Sequence, residues 1–295
     1  MREDKIIKFL AYDEKVSVIC GDTRNLVEKA RNIHDLSPTA TATMGRIITA
    51  TSMMAVSDMK DKDDKLTVQI NGKGPAGQIV VVSDSFPRIK AYMQNTKVEL
   101  PLKENGKINV GGAVGKNGFL NIIVQNSITS SNYNGMVPLV SGEIAEDFAE
   151  YFLKSKQKPS AVALGVLIDK NGVKSSGGYI ITLMPDATDE IVNKLEESIS
   201  KSAPISNLLE QDISLENIAK IVTGDNNLKI VEDNIHPIYN CDCSKENFER
   251  GLISLGKNEI KNIIDEDGMA NIKCHFCNKK YIFTKEELEK ILKSM

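Results

Sequence analysis

Four of the five cysteines in this 295-residue chain stand near its C-terminus in two tight pairs, C-x-C at Cys241 and Cys243 and C-x2-C at Cys274 and Cys277. Thiolates are soft anionic donors, and four of them suit a tetrahedral Zn²⁺ at about 2.3 Å per bond. A C-x2-C hairpin turn supplies two donors readily, and a C-x-C pair in a sharp turn before a helix supplies the others. The 30 residues between Cys243 and Cys274 leave room for two helices. The pattern predicts one zinc ion held by Cys241, Cys243, Cys274 and Cys277, with no coordination position left open and hence no hydrolytic role. His236 and His275 are then surplus, placed around the site or in solvent.

A permanent zinc staple is one outcome of this pattern, and the C-x-C spacing pulls against it. Cys243 immediately precedes a helix N-terminus, where the macrodipole favours its thiolate, and thiolates are what oxidants attack. Each pair can also close on itself. Disulfides Cys241–Cys243 and Cys274–Cys277 would remove every ligand at once, the i,i+2 bridge being strained and readily reduced.

Around the cysteines, residues 236–295 read as a small third unit. Ser244 can cap a helix over "SKENFERGLISLG" that places Phe248, Leu252 and Leu255 on one face, and "NEIKNIIDEDG" forms another helix. "MANIKCHFCNKKYIF" reads as a hairpin with Cys274 and Cys277 at its turn, and Thr284 with Glu287 makes a capping box for a last helix. So small a core is marginal without a cross-link. Zinc binding contributes about 10 to 16 kcal/mol to folding in such units, so loss of the metal predicts unfolding.

Residues 187–235 have a different character. They contain four Lys against ten Asp or Glu and no aromatic residue. Ile191, Leu195 and Ile199 share a face, as do Ile218, Ile221 and Val222, with Pro204 and Gly224 separating the pieces. Helices this short are marginal alone, so the segment predicts a metastable helical linker that docks its aliphatic faces elsewhere.

Residues 1–186 read as an α+β domain with a largely antiparallel sheet. Strands are expected over 65–74, 77–86, 88–95, 118–127, 160–169 and 177–185, the last two flanking an Asn171-Gly172 turn. Helices are expected over "DTRNLVEKARNIH", capped by Asp22 or Thr23, and over "GEIAEDFAEYFLKS". "SPTATATMGRIITATSMMAVS" (37–57) reads as a buried core helix, although Met53 and Met54 would also suit an adaptable apolar surface. "VGGAVGKNG" (110–118) lacks the Gly and the Ser or Thr of a phosphate loop, where Val110 and Asn117 stand, and is expected to connect strands. Cys20, in the strand-like "VSVIC", is expected to be an inert buried thiol.

Hydrophobic content of 41%, charged content of 26% and a net charge of -3 describe a globular, mildly acidic chain with no basic excess for nucleic acid. No apolar run suggests a secretory leader or a membrane span, which predicts a cytoplasmic protein in a reducing compartment.

"CDCSKENFERGLISLG" followed by "CHFCNKKYIF" closely resembles the redox-switch domain of the 33 kDa heat-shock chaperone family, also called the 33 kDa chaperonins. The likeness extends through "TRNLVEKARNIHDLSPTATATMGR", "GEIAEDFAEYFLKS" and "GGYIITLMP". It implies an ATP-independent holdase, not an enzyme, inactive while reduced and zinc-bound. Oxidation with unfolding stress then ejects zinc, forms two disulfides and unfolds the linker, which binds unfolding clients. It further implies a homodimer on activation and handover of clients to the seventy-kilodalton chaperone system. By motif position the ligands fall on Cys241, Cys243, Cys274 and Cys277. Two alternatives remain. One is a thiol-disulfide oxidoreductase using Cys274 and Cys277, which lacks the usual βαβ setting. The other is a zinc-ribbon nucleic-acid adapter, which the balanced charge opposes.

Overall fold

A computed structural model describes residues 3–295. The chain divides into two compact units, Met1–Tyr239 and Asn240–Met295.

The first unit is built around two sheets. Its elements run β1 (Lys5–Ala11), β2 (Val16–Asp22), α1 (Arg24–His34), α2 (Pro38–Asp58), β3 (Lys65–Asn71), β4 (Ile79–Asp84), β5 (Arg88–Met93), α3 (Val110–Val114), β6 (Phe119–Gln125) and β7 (Asn132–Pro138). They continue with α4 (Ala145–Lys154), β8 (Ser160–Asp169), β9 (Gly172–Leu183), α5 (Asp189–Lys201), α6 (Ile205–Glu210), α7 (Leu215–Thr223), β10 (Lys229–Ile235) and β11 (Ile238–Tyr239). One sheet has the order β10-β1-β2-β9-β8, and the other β11-β5-β4-β3-β6-β7. All of these pairings are antiparallel except β11 with β5.

Helix α2 is the shared core. Ile6, Ile19 and Ile180 of the first sheet and Leu66, Val68 and Val81 of the second belong to one apolar cluster with its Met44, Ile47, Ile48, Met53 and Met54. Both methionines of the 53–54 pair are fully buried, so they pack the core and present no surface. A Thr-rich helix tolerates this burial because its hydroxyls bond backwards: Thr43, Thr49 and Thr51 each donate to the carbonyl four residues earlier at 2.7 to 2.8 Å.

The glycine-rich 110–118 stretch is more than a strand connection, since α3 occupies its first half. Its glycines answer a backbone crossing. A Cβ on Gly72 would stand 2.1 Å from the Gly115 carbonyl oxygen.

Alternation along the first sheet sends a second apolar set to its other face. Ile7, Phe9, Val16, Val18, Cys20, Tyr179 and Ile181 pack there against Ile191, Leu195, Ile205, Leu208, Leu209, Leu215, Ile218 and Val222 of α5 to α7. The 187–235 segment is therefore docked, as its aliphatic spacing requires. It differs from a purely helical reading in two respects. Residues 229–235 form β10, which pairs along β1, and Ile221 turns outward at 39% exposure.

The second unit contains α8 (Lys245–Leu255), α9 (Lys257–Glu266), the hairpin of β12 (Ala270–Lys273) and β13 (Lys280–Phe283), and α10 (Lys285–Ser294). Leu252, Ile260, Ile264, Ala270, Tyr281, Phe283, Leu288 and Ile291 form its small core. Leu255 lies outside it, exposed on the last turn of α8. No helix among the described residues is long and apolar enough to cross a membrane.

Candidate metal centre

Two local devices aim the cysteines. Ser244 caps α8 by accepting the Asn247 N–H at 3.2 Å, which holds the C-x-C loop at the helix N-terminus. On the hairpin, the Cys274 N–H donates to the Lys279 carbonyl and the Asn278 N–H to the Cys274 carbonyl, both at 2.9 Å. Asn278 closes that turn in the left-handed region at φ 62°, a conformation Asn tolerates better than most residues. The supports are themselves pinned. Thr284 and Glu287 form the capping box of α10, and Glu287 also pairs with Lys245 of α8 at 2.5 Å.

The four sulfur atoms all lie within 4.8 Å of one another. Two close approaches run between the pairs, Cys241 to Cys274 at 3.7 Å and Cys243 to Cys277 at 3.4 Å. Sulfurs bound at about 2.3 Å to one tetrahedral ion stand roughly 3.8 Å apart, so this set can hold a metal ion. All five cysteines are free thiols here.

The electrostatics give the same answer. Burial, then the shared contacts with neighbouring thiols, raise Cys241, and burial also raises Cys277. Burial opposes ionisation of Cys243 too, but the Tyr281 hydroxyl and the adjacent thiols outweigh it and hold this thiol below its ordinary value. Four anions cannot crowd together unaided; a bound cation is what would let all four ionise.

The remaining candidates lie elsewhere. Cys20 is fully buried under α5 to α7, and burial pushes its thiol up to about 12. His236 belongs to the first unit, its Nδ1 at 3.0 Å from the Asp4 carbonyl, and His275 is exposed beside Cys274. Neither histidine joins the sulfur cluster. Tyr281, which touches Cys243, was not legible in the sequence; its only signal is its place on the strand leaving the C-x2-C turn.

An α+β fold of antiparallel sheets, carrying a C-terminal four-cysteine centre able to take a metal, defines a class that comparison with known proteins narrows. The family described as Hsp33 protein matches residues 4–284. The 33 kDa chaperonin of Clostridioides difficile (strain 630) is 44% identical over 292 residues, covering 99% of each chain. That of Thermoanaerobacter sp. (strain X514) is 43% identical over 291 residues, 98% of each. The crystal structure of the 33 kDa chaperonin from Thermotoga maritima superposes with a TM-score of 0.90 at 34% identity, over 99% of both chains. The chain belongs to the Hsp33 family of chaperones.

Proposed function

We propose that this chaperone is an ATP-independent holdase switched by oxidation of its cysteine centre. The observation that carries the reading is the convergence of two closely spaced cysteine pairs within 4.8 Å. Zinc, when bound, cross-links the C-x-C loop to the hairpin and supplies folding energy of about 10 to 16 kcal/mol to the small unit.

Oxidation acts on the sulfurs. Each anionic pair gives two electrons to one hydrogen peroxide, which takes up two protons from solvent and becomes two waters, and one S–S bond forms, Cys241 to Cys243 or Cys274 to Cys277. No anionic donor then remains. The eight-residue core of the second unit is left without its cross-link and unfolds. Loss of order spreads along the chain into 187–235, and the helices lift from the first sheet. Each fully buried aliphatic side chain so released exposes surface worth about 1.5 to 3 kcal/mol, which unfolding clients can cover.

The family likeness extends the reading to a homodimer formed on activation, to transfer of clients to the seventy-kilodalton chaperone system and to a cytoplasmic stress role without nucleic-acid or membrane partners. Thiol-disulfide turnover is the weaker reading, because the C-x2-C pair lies in the turn of a β12–β13 hairpin and not beside a βαβ unit. The test measures zinc release together with light scattering of an aggregating client, before and after peroxide with mild heat and without ATP. Retained zinc, or equal suppression by reduced and oxidised protein, would refute the switch.

A further inference from the structure

Past the C-terminal ends of α2 and α4, on the face of the first sheet that α2 covers, lies a cavity of about 280 Å³. Its apolar wall includes Leu10, Ile19 and Ile180 of the sheet and Phe152 of α4. Three lysines also line it, Lys8 of β1 with Lys156 and Lys158 just after α4, against one carboxylate, that of Asp58 at the end of α2. In a chain of net charge -3 this is a local excess of positive charge, and it favours an anion.

The one carboxylate is already engaged. Asp58 pairs with Lys156 at 3.0 Å, and the Lys156 ammonium also stands 4.7 Å over the Tyr133 ring. Lys8 and Lys158 make no ion pair among the described residues. Glu232 stands opposite Lys8 in the β1–β10 register, but it lines a different cavity with Lys60 and Lys62. Lys158 is exposed, whereas Lys8 is half-buried, so its stem can lie along the wall with the ammonium turned to an occupant.

The lining selects the occupant. A compact, hydrated anion such as phosphate gains nothing from an aliphatic wall, and a neutral apolar molecule leaves the ammonium beside it unpaired. The volume is that of about nine waters, which suits a carboxylate on a chain of about six to eight carbons. We propose that this cavity is a binding site for fatty-acid carboxylates of that length, the head paired with Lys8 and the chain lying against Leu10, Ile19 and Phe152. Nothing in it depends on oxidation of the cysteines.

The test titrates the full-length, reduced, zinc-loaded protein calorimetrically with pentanoate, hexanoate, heptanoate and octanoate. Each methylene buried should tighten binding about fourfold until the cavity is full. Octanol, without the charge, and inorganic phosphate, without the chain, should each bind at least about tenfold more weakly than octanoate. Lys8→Met keeps the stem and removes the ammonium; it should weaken octanoate about tenfold and leave octanol unchanged. Lys8→Arg, which keeps the charge, should restore octanoate binding. A series without gain per methylene, phosphate binding as tightly as octanoate, or unchanged octanoate affinity in Lys8→Met overturns the site. A loss shared by Lys8→Met and Lys8→Arg overturns the pairing. Octanoate should raise the melting midpoint, as a ligand of the native state must, and a lowered midpoint overturns the proposal.

Discussion

The Tyr239 hydroxyl lies 2.9 Å from Nε2 of the buried His34, and 3.2 Å from both the N–H and the carbonyl of Ala91. The last residue of the first unit is thereby tied to α1 and β5, two positions before Cys241. Tyr239→Phe keeps the ring and strips these bonds from buried partners, at an expected cost of about 1 to 3 kcal/mol. Calorimetry should show a lower melting midpoint for the first unit with zinc content unchanged. A coincident loss of zinc would mean that the anchor also governs the metal centre.

Ile218 is fully buried in the cluster with Phe9, Val18 and Cys20. Ile218→Ala should weaken docking of α7 by about 2 to 5 kcal/mol. The reduced variant is expected to suppress client aggregation where the reduced wild type does not. Cys20 reports the same opening, because alkylation of this buried thiol should accelerate when the helices lift. Active variant protein with Cys20 still protected would place client binding on another surface.

Cys274→Ser replaces one of four anionic donors by a neutral hydroxyl. Against a zinc contribution of about 10 to 16 kcal/mol, a core of eight residues should not stay folded. Limited proteolysis is expected to digest residues 240–295 and then the 187–235 segment, while residues 1–186 survive. Full zinc content in the variant would remove Cys274 from the ligand set.

Asp4 is buried, and that burial raises its carboxyl to about 6, even though it accepts the N–H groups of Asn25 and Leu26. A carboxyl raised in the folded state contributes stability that is fully present below its unfolded value and is lost as pH climbs through the folded one. Between about pH 4 and pH 7 this group should cost the native state about 3 kcal/mol. Asp4→Asn keeps an acceptor and removes the titration. Denaturant melts across that window should show the stability difference between the two proteins moving in favour of the variant as pH rises, the shift being complete once pH passes about 6. A difference that stays flat with pH would mean that the Asp4 carboxyl titrates alike in the folded and unfolded chains.

What could be read in the chain was local. Cysteines two or three residues apart, Ser244 before α8, the Thr284 and Glu287 capping box and the alternation of β3 to β6 all act over a few residues, and each stands in the structure where its spacing put it. β10 was hidden because its partner β1 is more than two hundred residues away and its "KIVEDNI" lies along an exposed sheet edge with no apolar alternation to betray it. Leu255 and Ile221 fall on plausible helical faces, yet which face is covered depends on what docks there. The contact of Tyr281 with Cys243 needed both the hairpin register and the course of a loop far behind it in sequence.

The chain between β9 and β10 is fastened at both ends, since those strands belong to the same sheet. Helices α5 to α7 released from that sheet would form a closed loop running from Leu183 to Lys229. Closing such a loop costs entropy that grows only slowly with its length, and the attached helices stay at high effective concentration over the face they left. A client seated on that face would compete with a tethered rival that never diffuses away. Under the proposed switch, restoring the conditions under which the loop folds would favour the client's displacement.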